Sequence, residues 1–432
     1  MSVNTVDYRR DKVGQGVHFS RITDQKFKHN RLTASFVLPL DNARASDNAV
    51  VPHILRMGSQ AFPDFSSLNA RLAELYGASL DAGVMKFGGY QVLEVSIRFL
   101  DNRFALAGED ITGECARLLL GVITQPKTTG GVFDEKDTAL QRQYIQDTIE
   151  AEINDKRPYA ISQCIQEMCA GEAVAVKTFG YPQTAAAITP RSASDSYRDM
   201  LHNAPVEIFF TGSGDAGAAM EIMAAGFEGI KRGQIAEYQA VNLRPSAERL
   251  REKTETMGLN QSKLVMGMRT GNPSGIREVN AMRLFSALYG GTPFSKLFAN
   301  VREKLSLCYY CSSRFDSTTK LLMVDSGVAA ENKQKTTDEV MAQLEAVCRG
   351  EFTDQDFANT KLLLENSIRT TTDSAVSMEG WYMSQTLRGQ NISPLEDIKN
   401  LEQITPEEVM QAAKKVTLDT VYFLTGEESK DE

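Results

Sequence analysis

Apolar runs, polar helical stretches and proline punctuation recur along this chain in a fixed order. Val206-Glu-Ile-Phe-Phe-Thr211-Gly212 is rich in β-branched and aromatic residues, which predicts a strand. Ahead of it, Ile188-Thr189-Pro190 opens a helical stretch, with Thr189 as N-cap and Pro190 in the first turn. The same pattern returns as Ile404-Thr405-Pro406, a helical stretch, and the strand Val421-Tyr-Phe-Leu-Thr425-Gly426. Isoleucine to threonine spans 23 residues in the first copy (188 to 211) and 21 in the second (404 to 425). Phe133–Ile149 and Phe352–Ile368 each open with Phe and acidic residues and continue as long helical patterns. Leu68–Gly77 and Leu297–Leu307 each read as a helix running into a strand pair. A period of roughly 200 residues is far longer than a solenoid repeat, so the pattern is that of a duplicated domain. Strand runs beside helix runs predict the α+β class, as two homologous sandwich domains with an antiparallel-rich sheet covered by helices. The join falls between Ser213 and Lys253 and contains a short helix near Ala218–Gly229. This divides the chain into domains at 1–225 and 241–432, with a linker at 226–240. The charged tail Glu427–Glu432 is expected to fray.

Composition narrows the function without naming it. The 432 residues are 42% hydrophobic and 24% charged, with a net charge of -9. Such a chain can bury large cores, and its acidic balance argues against a nucleic-acid partner, which would need a basic face. No stretch approaches the apolar length of a membrane span, and Met1–Lys12 lacks the apolar centre of a signal peptide, so a cytoplasmic protein is expected. The six cysteines, Cys115, Cys164, Cys169, Cys308, Cys311 and Cys348, are too sparse for a disulfide scaffold. Cys308-Tyr-Tyr-Cys311 lies in a strand-like stretch, and strict alternation would send its two thiols to opposite faces. That favours two buried or half-buried thiols over redox or metal chemistry.

Three segments carry a family resemblance: Gly258-Leu-Asn-Gln-Ser-Lys-Leu-Val-Met-Gly267, Gly290-Gly-Thr-Pro-Phe-Ser-Lys-Leu-Phe298 and Arg302-Glu-Lys-Leu-Ser-Leu-Cys-Tyr309. With the duplication, they make nearly the whole chain resemble the insulinase/pitrilysin family of zinc peptidases. Asn154-Asp-Lys-Arg-Pro-Tyr159 resembles a bacterial subgroup of zinc-peptidase-like proteins that has lost the zinc site. The resemblance implies two domains facing each other as a clam shell. It also implies an inverted zinc motif, His-x-x-Glu-His, whose glutamate is the general base, and a further glutamate ligand on a later helix.

Those residues are missing. Aligning on Leu55-Arg-Met-Gly58 puts the motif on Ala49-Val-Val-Pro52-His53, so the first ligand becomes Ala49, the base becomes Pro52, and His53 alone survives. On the later helix the matching positions are Gln141 and Thr148, neither a carboxylate. The histidines are His18, His29, His53 and His202, and no two lie within five residues of each other, so no zincin motif of either polarity exists. Ser46, Asp47 and Asn48 offer N-caps upstream of Pro52, so the helix is expected to begin late. No metal, no zinc or other cofactor, and no catalytic residue is therefore expected. There is no Gly-x-Ser-x-Gly elbow and no phosphate-binding loop, and the glycines of Gly83–Gly89 read as a hairpin.

The family's substrate-side pair does persist, as Arg302 and Tyr309. In active relatives this pair faces the zinc and holds peptide backbone. The family also adds peptide as a strand to an open sheet edge, whose match here is Ala82, Gly83 and Val84. Three readings stay open on sequence alone. The first is a pseudopeptidase subunit that binds peptide beside a zinc-competent paralogous partner. The second is a peptide-binding or scaffold homodimer with no proteolytic role. The third is an active zinc metallopeptidase with substituted ligands.

Overall fold

The structure is a computed structural model and describes residues 7–235, 237–239 and 243–426. The tail Glu427–Glu432 and residues 1–6 lie outside the described residues. Among the described residues no helix is long and apolar enough to cross a membrane. The chain divides into two compact units, each α+β.

The first unit is built on β1 (Asp7–Gly14), β2 (Val17–Thr23), β3 (His29–Pro39), β4 (Ser79–Phe87) and β5 (Tyr90–Leu100). A small separate hairpin, β6 (Thr128–Thr129) with β7 (Val132–Phe133), follows, and β8 (Val206–Gly212) completes the main sheet. The strand order is β1-β2-β8-β3-β5-β4, antiparallel except for β2 with β8. The expected hairpin turns at Gly88 and Gly89, where Gly88 takes a φ of +59° that favours glycine. One core joins Phe36, Leu93, Val95, Ile97 and Phe210 of the sheet to Val50, Leu55, Leu119, Met200 and Met223 of the helices.

The second unit contains β9 (Arg251–Thr256), β10 (Ser262–Arg269), β11 (Cys308–Asp316), β12 (Leu321–Val328) and β13 (Thr417–Thr425), in the order β11-β12-β10-β13-β9. Only β13 with β9 is parallel. Reversed, this order matches β2-β8-β3-β5-β4 strand for strand, so the duplication read from the sequence is present in the topology. The paired Thr-Pro signals act as expected. Thr189 and Thr405 each form a capping box and put Pro190 and Pro406 in the first turn.

The two units do not divide the sequence at one point. Unit 1 takes 1–150, 176–240 and 372–391, and unit 2 takes 151–175, 241–371 and 392–432. Two stretches thus cross the contiguous division at 225/241. The Ala375–Leu387 helix lays Met378, Tyr382, Met383 and Leu387 against Ile22, Val37, Val92 and Phe209 of the first sheet. The Lys156–Met168 helix lays Ala160, Cys164 and Met168 against Val265, Leu321, Met323, Tyr422 and Leu424 of the second. Described residues of the expected linker 226–240 pack on the first unit. Residues 226–228 finish the Ala216–Glu228 helix, Arg232 donates to the Leu201 carbonyl at 2.6 Å, and Tyr238 donates to Glu207 at 2.7 Å.

Candidate functional site

The degenerate motif lies on the helix Ala45–Leu55. That helix starts earlier than the sequence suggested, because the Asp41 carbonyl accepts from Ala45 N–H and so seeds the first turn ahead of Ser46, Asp47 and Asn48. Ser46 instead donates its hydroxyl to the Phe179 carbonyl at 2.8 Å. Pro52 consequently sits inside the helix, where it lacks the N–H that would bond the Asn48 carbonyl. The helix ends three residues later at Leu55. Ala49 is fully buried among core side chains and Pro52 is buried beside them.

His53 keeps an imidazole at this place but not the surroundings of a ligand. Its ring centroid lies 4.7 Å from that of Tyr144 on the Glu135–Ala151 helix. Burial first, and the Arg56 charge second, lower its pKa to about 4, so the ring is neutral at physiological pH. Its Nε2 is buried with no hydrogen-bond partner. Gln141 and Thr148 occupy the same helix. Gln141 Nε2 donates to Met57 Sδ at 3.0 Å, and Thr148 Oγ1 donates to the Tyr144 carbonyl at 2.8 Å. Tyr144 escaped the sequence reading, although it lies three residues from Gln141 and four from Thr148 and so shares their helix face.

These donors do not fit zinc. A catalytic ion needs three protein ligands and one open position, with each ligating imidazole steadied by a carboxylate or carbonyl. Here the positions hold a methyl group, a pyrrolidine ring, one imidazole, an amide engaged with sulfur and a hydroxyl engaged with its own helix. Among the described residues no three His, Cys, Asp or Glu side chains cluster as a metal site would require. No hydrolytic step can be derived through a metal at this place.

In the second unit, Arg302 and Tyr309 line one cleft of about 470 Å³ together with Glu303, Ser306, Leu307, Cys308, Ala329 and Asn332. Arg302 lies on the Leu297–Lys304 segment, which is wound as a π-helix, a winding that is rare and often found at functional sites. Its guanidinium stacks 4.7 Å from the Phe298 ring, and Nε is 3.5 Å from Glu303 Oε1. Tyr309 is 68% exposed. The reason is a bulge in β11: Cys308 pairs with Val328 and Tyr310 with Gly327, so Tyr309 is the extra residue. The bulge also corrects the reading of the cysteine pair. One inserted residue cancels one alternation, so Cys308 and Cys311 stand opposite Val328 and Ser326, on the same side of the sheet.

Ala82, Gly83 and Val84 lie on β4, which among the described residues ends its sheet and pairs only with β5, opposite Val95, Glu94 and Leu93. A Cβ built on Gly83 would meet nothing within 4 Å.

Comparison with known proteins agrees with this chemistry. The family description "Peptidase M16 inactive domain" matches residues 187–364. The "Probable inactive metalloprotease YmfF" of Bacillus subtilis (strain 168) is 29% identical over 411 residues, covering 94% of this chain and 95% of that protein. A conserved protein from Enterococcus faecalis V583 superposes with a TM-score of 0.88 at 26% identity, covering 98% of this chain and all of that one. The periplasmic protease PqqL from Escherichia coli shares the fold, with a TM-score of 0.72 at 13% identity, over 97% of this chain and 48% of its own. With the zinc donors replaced and the duplicated fold kept, the chain is similar to inactive members of the insulinase/pitrilysin-type (M16) metallopeptidases.

Proposed function

We propose that this chain is a pseudopeptidase subunit: it pairs with a zinc-competent paralogue, which supplies metal and general base, while Arg302 and Tyr309 help to hold peptide. One observation carries the reading. Arg302 and Tyr309 are presented on a common cleft, while the positions that would grip zinc, His53 apart, are apolar or internally bonded. A guanidinium and a phenol suit a peptide's carbonyl oxygens, and they stabilise developing negative charge where a metal elsewhere activates water. The edge of β4 at Ala82, Gly83 and Val84 offers backbone groups for strand addition, a mode that needs no particular side chain. Pairing is supported by proportion: this fold spans about half of the PqqL chain, leaving that protein a further half of similar length.

The test is co-expression with a paralogue carrying His-x-x-Glu-His. The two chains should co-elute and hydrolyse peptide. Arg302→Ala or Tyr309→Phe should lower hydrolysis by ~10-fold or more without loosening the complex. A chain that never associates with such a paralogue, or whose addition leaves hydrolysis unchanged, refutes the proposal. A solution mass of two identical copies with no paralogue taken up would favour the scaffold homodimer.

A further inference from the structure

Among the six cysteines, three are sealed and inert. Cys115, Cys164 and Cys169 are buried, and burial pushes each thiol up, to about 12 for Cys115 and Cys169. Cys348 is half-buried and also shifted up by burial. Cys308 and Cys311 differ from these in placement and in charge.

We propose that Cys308 and Cys311 form a reversible dithiol–disulfide site that exchanges with low-molecular-weight disulfides, with Cys308 attacking and Cys311 resolving. Access is asymmetric in the way such a site needs. Cys308 lines the cleft, whereas Cys311 is 5% exposed beneath it. The bulge supplies the reach. Cys308 and Cys311 pair with Val328 and Ser326, so they span only two residues of β12. That distance is about 6.6 Å along a strand, within the upper part of the Cα separation a disulfide bridges. A regular strand would hold the two cysteines about 10 Å apart on opposite faces, beyond that range. A bridge at this limit closes with some distortion and reopens readily, as labile exchange disulfides do.

The electrostatics agree with the geometry. The neighbouring Cys311 thiol foremost, then the Ser326 hydroxyl and the Arg302 charge, lower the Cys308 pKa to about 7 against the opposing effect of burial. The same contact and its own burial push Cys311 well above the usual thiol range. The nucleophilic thiolate is thus the accessible one, and the proton stays on the buried sulfur until the second step.

The chemistry balances. The Cys308 thiolate attacks one sulfur of RSSR, the S–S bond breaks, and RS⁻ leaves, giving a mixed disulfide. Cys311 releases its proton, its sulfur attacks that of Cys308, and a second RS⁻ departs and is protonated. Two protein thiols are oxidised and one disulfide is reduced to two thiols.

The experiment uses the full chain and oxidised glutathione. Trypsin releases Leu305–Arg314, which contains both cysteines and no others. After incubation this peptide should be lighter by two hydrogens, and dithiothreitol should reverse the change. Cys311→Ser should stop as a glutathione adduct on Cys308, and Cys308→Ser should leave Cys311 unmodified. At pH 7 a thiol lowered to about 7 is far more ionised than one that burial raises, and the lower nucleophilicity of the weaker base takes back only part of that gain, so Cys308 should be alkylated several-fold faster than Cys348. Equal rates, a wild-type chain that halts at the mixed disulfide, or a Cys311→Ser chain that takes up no glutathione at Cys308 would each overturn the proposal.

Discussion

Glu379 should make the seating of the Ala375–Leu387 helix on the first sheet depend on pH. Its carboxyl is buried; Oε2 accepts from Arg31 Nε at 2.8 Å and from Thr33 Oγ1 at 2.8 Å, and Oε1 has no partner. Arg31 also pairs with the half-buried Glu94, so one guanidinium serves two carboxylates, with Asp81 nearby. Burial, chiefly, and Glu94 secondarily raise Glu379 from 4.5 to about 7, while Arg31 opposes the rise. The folded state therefore holds its proton more tightly than the unfolded chain. The resulting stabilisation is complete below about pH 4.5 and is lost as pH rises through about 7, after which this group adds no further change. At 1.36 kcal/mol per unit, the shift sets a ceiling of roughly 3 kcal/mol on the loss, which relaxation around the ion pairs reduces. The perturbation is Glu379→Gln, which keeps the shape and removes the titration. The assays are urea unfolding of the first unit and hydrogen exchange of amides 375–387, from pH 4.5 to 8, for both proteins. The variant should gain about 1–3 kcal/mol on the wild type across that range. A difference that stays constant with pH, or one that favours the wild type at high pH, would refute the reasoning.

Asp419→Ala should destabilise the second unit by about 1–3 kcal/mol in chemical denaturation, because it removes a buried carboxylate 3.0 Å from the Nε of the fully buried Arg269 and leaves that guanidinium only Glu172 and the Met168 carbonyl. Gly267→Val should cost about 1–3 kcal/mol by the same measurement, since a Cβ there would stand 2.6 Å from Met168 Sδ, whereas Gly83→Ala on the open edge should fall within about 0.5 kcal/mol of wild type. Elemental analysis of purified protein should find no stoichiometric zinc, and His53→Ala should not change that content; zinc present in the wild type and lost in the variant would contradict the donor argument.

Much of the architecture was legible because local chemistry and global fold agree at the repeated signals. Thr189-Pro190 and Thr405-Pro406 cap real helices, and the apolar runs after them are the buried strands β8 and β13. The exchange of the two crossing helices was not legible. Met378, Tyr382 and Leu387 show apolar periodicity but not which sheet receives it, since both sheets offer an apolar face. The cysteine pair failed for a different reason. Alternation assumes an unbroken strand, and a single inserted residue, visible only in the pairing with β12, reverses the outcome. Likewise Asp41, not the polar trio at 46–48, sets the start of the degenerate helix, because a backbone carbonyl leaves no mark in the sequence.

The missing zinc site and the intact fold have one physical explanation. Catalytic zinc is held by a scaffold that already stands, unlike a structural zinc whose binding is the folding energy. Its donors can therefore be replaced, provided the replacements suit their surroundings. Ala49 does so by joining an apolar core, and His53 by remaining neutral against Tyr144. Each change also makes the return harder. A histidine at 49 would enter a close-packed core with no carboxylate to orient it. A glutamate at 52 would need a metal beside it to justify its charge, and the Glu135–Ala151 helix would still lack a ligand at Gln141 or Thr148. No single substitution at these positions assembles the three ligands a catalytic zinc needs, whereas the cleft at Arg302 and Tyr309 depends on none of them.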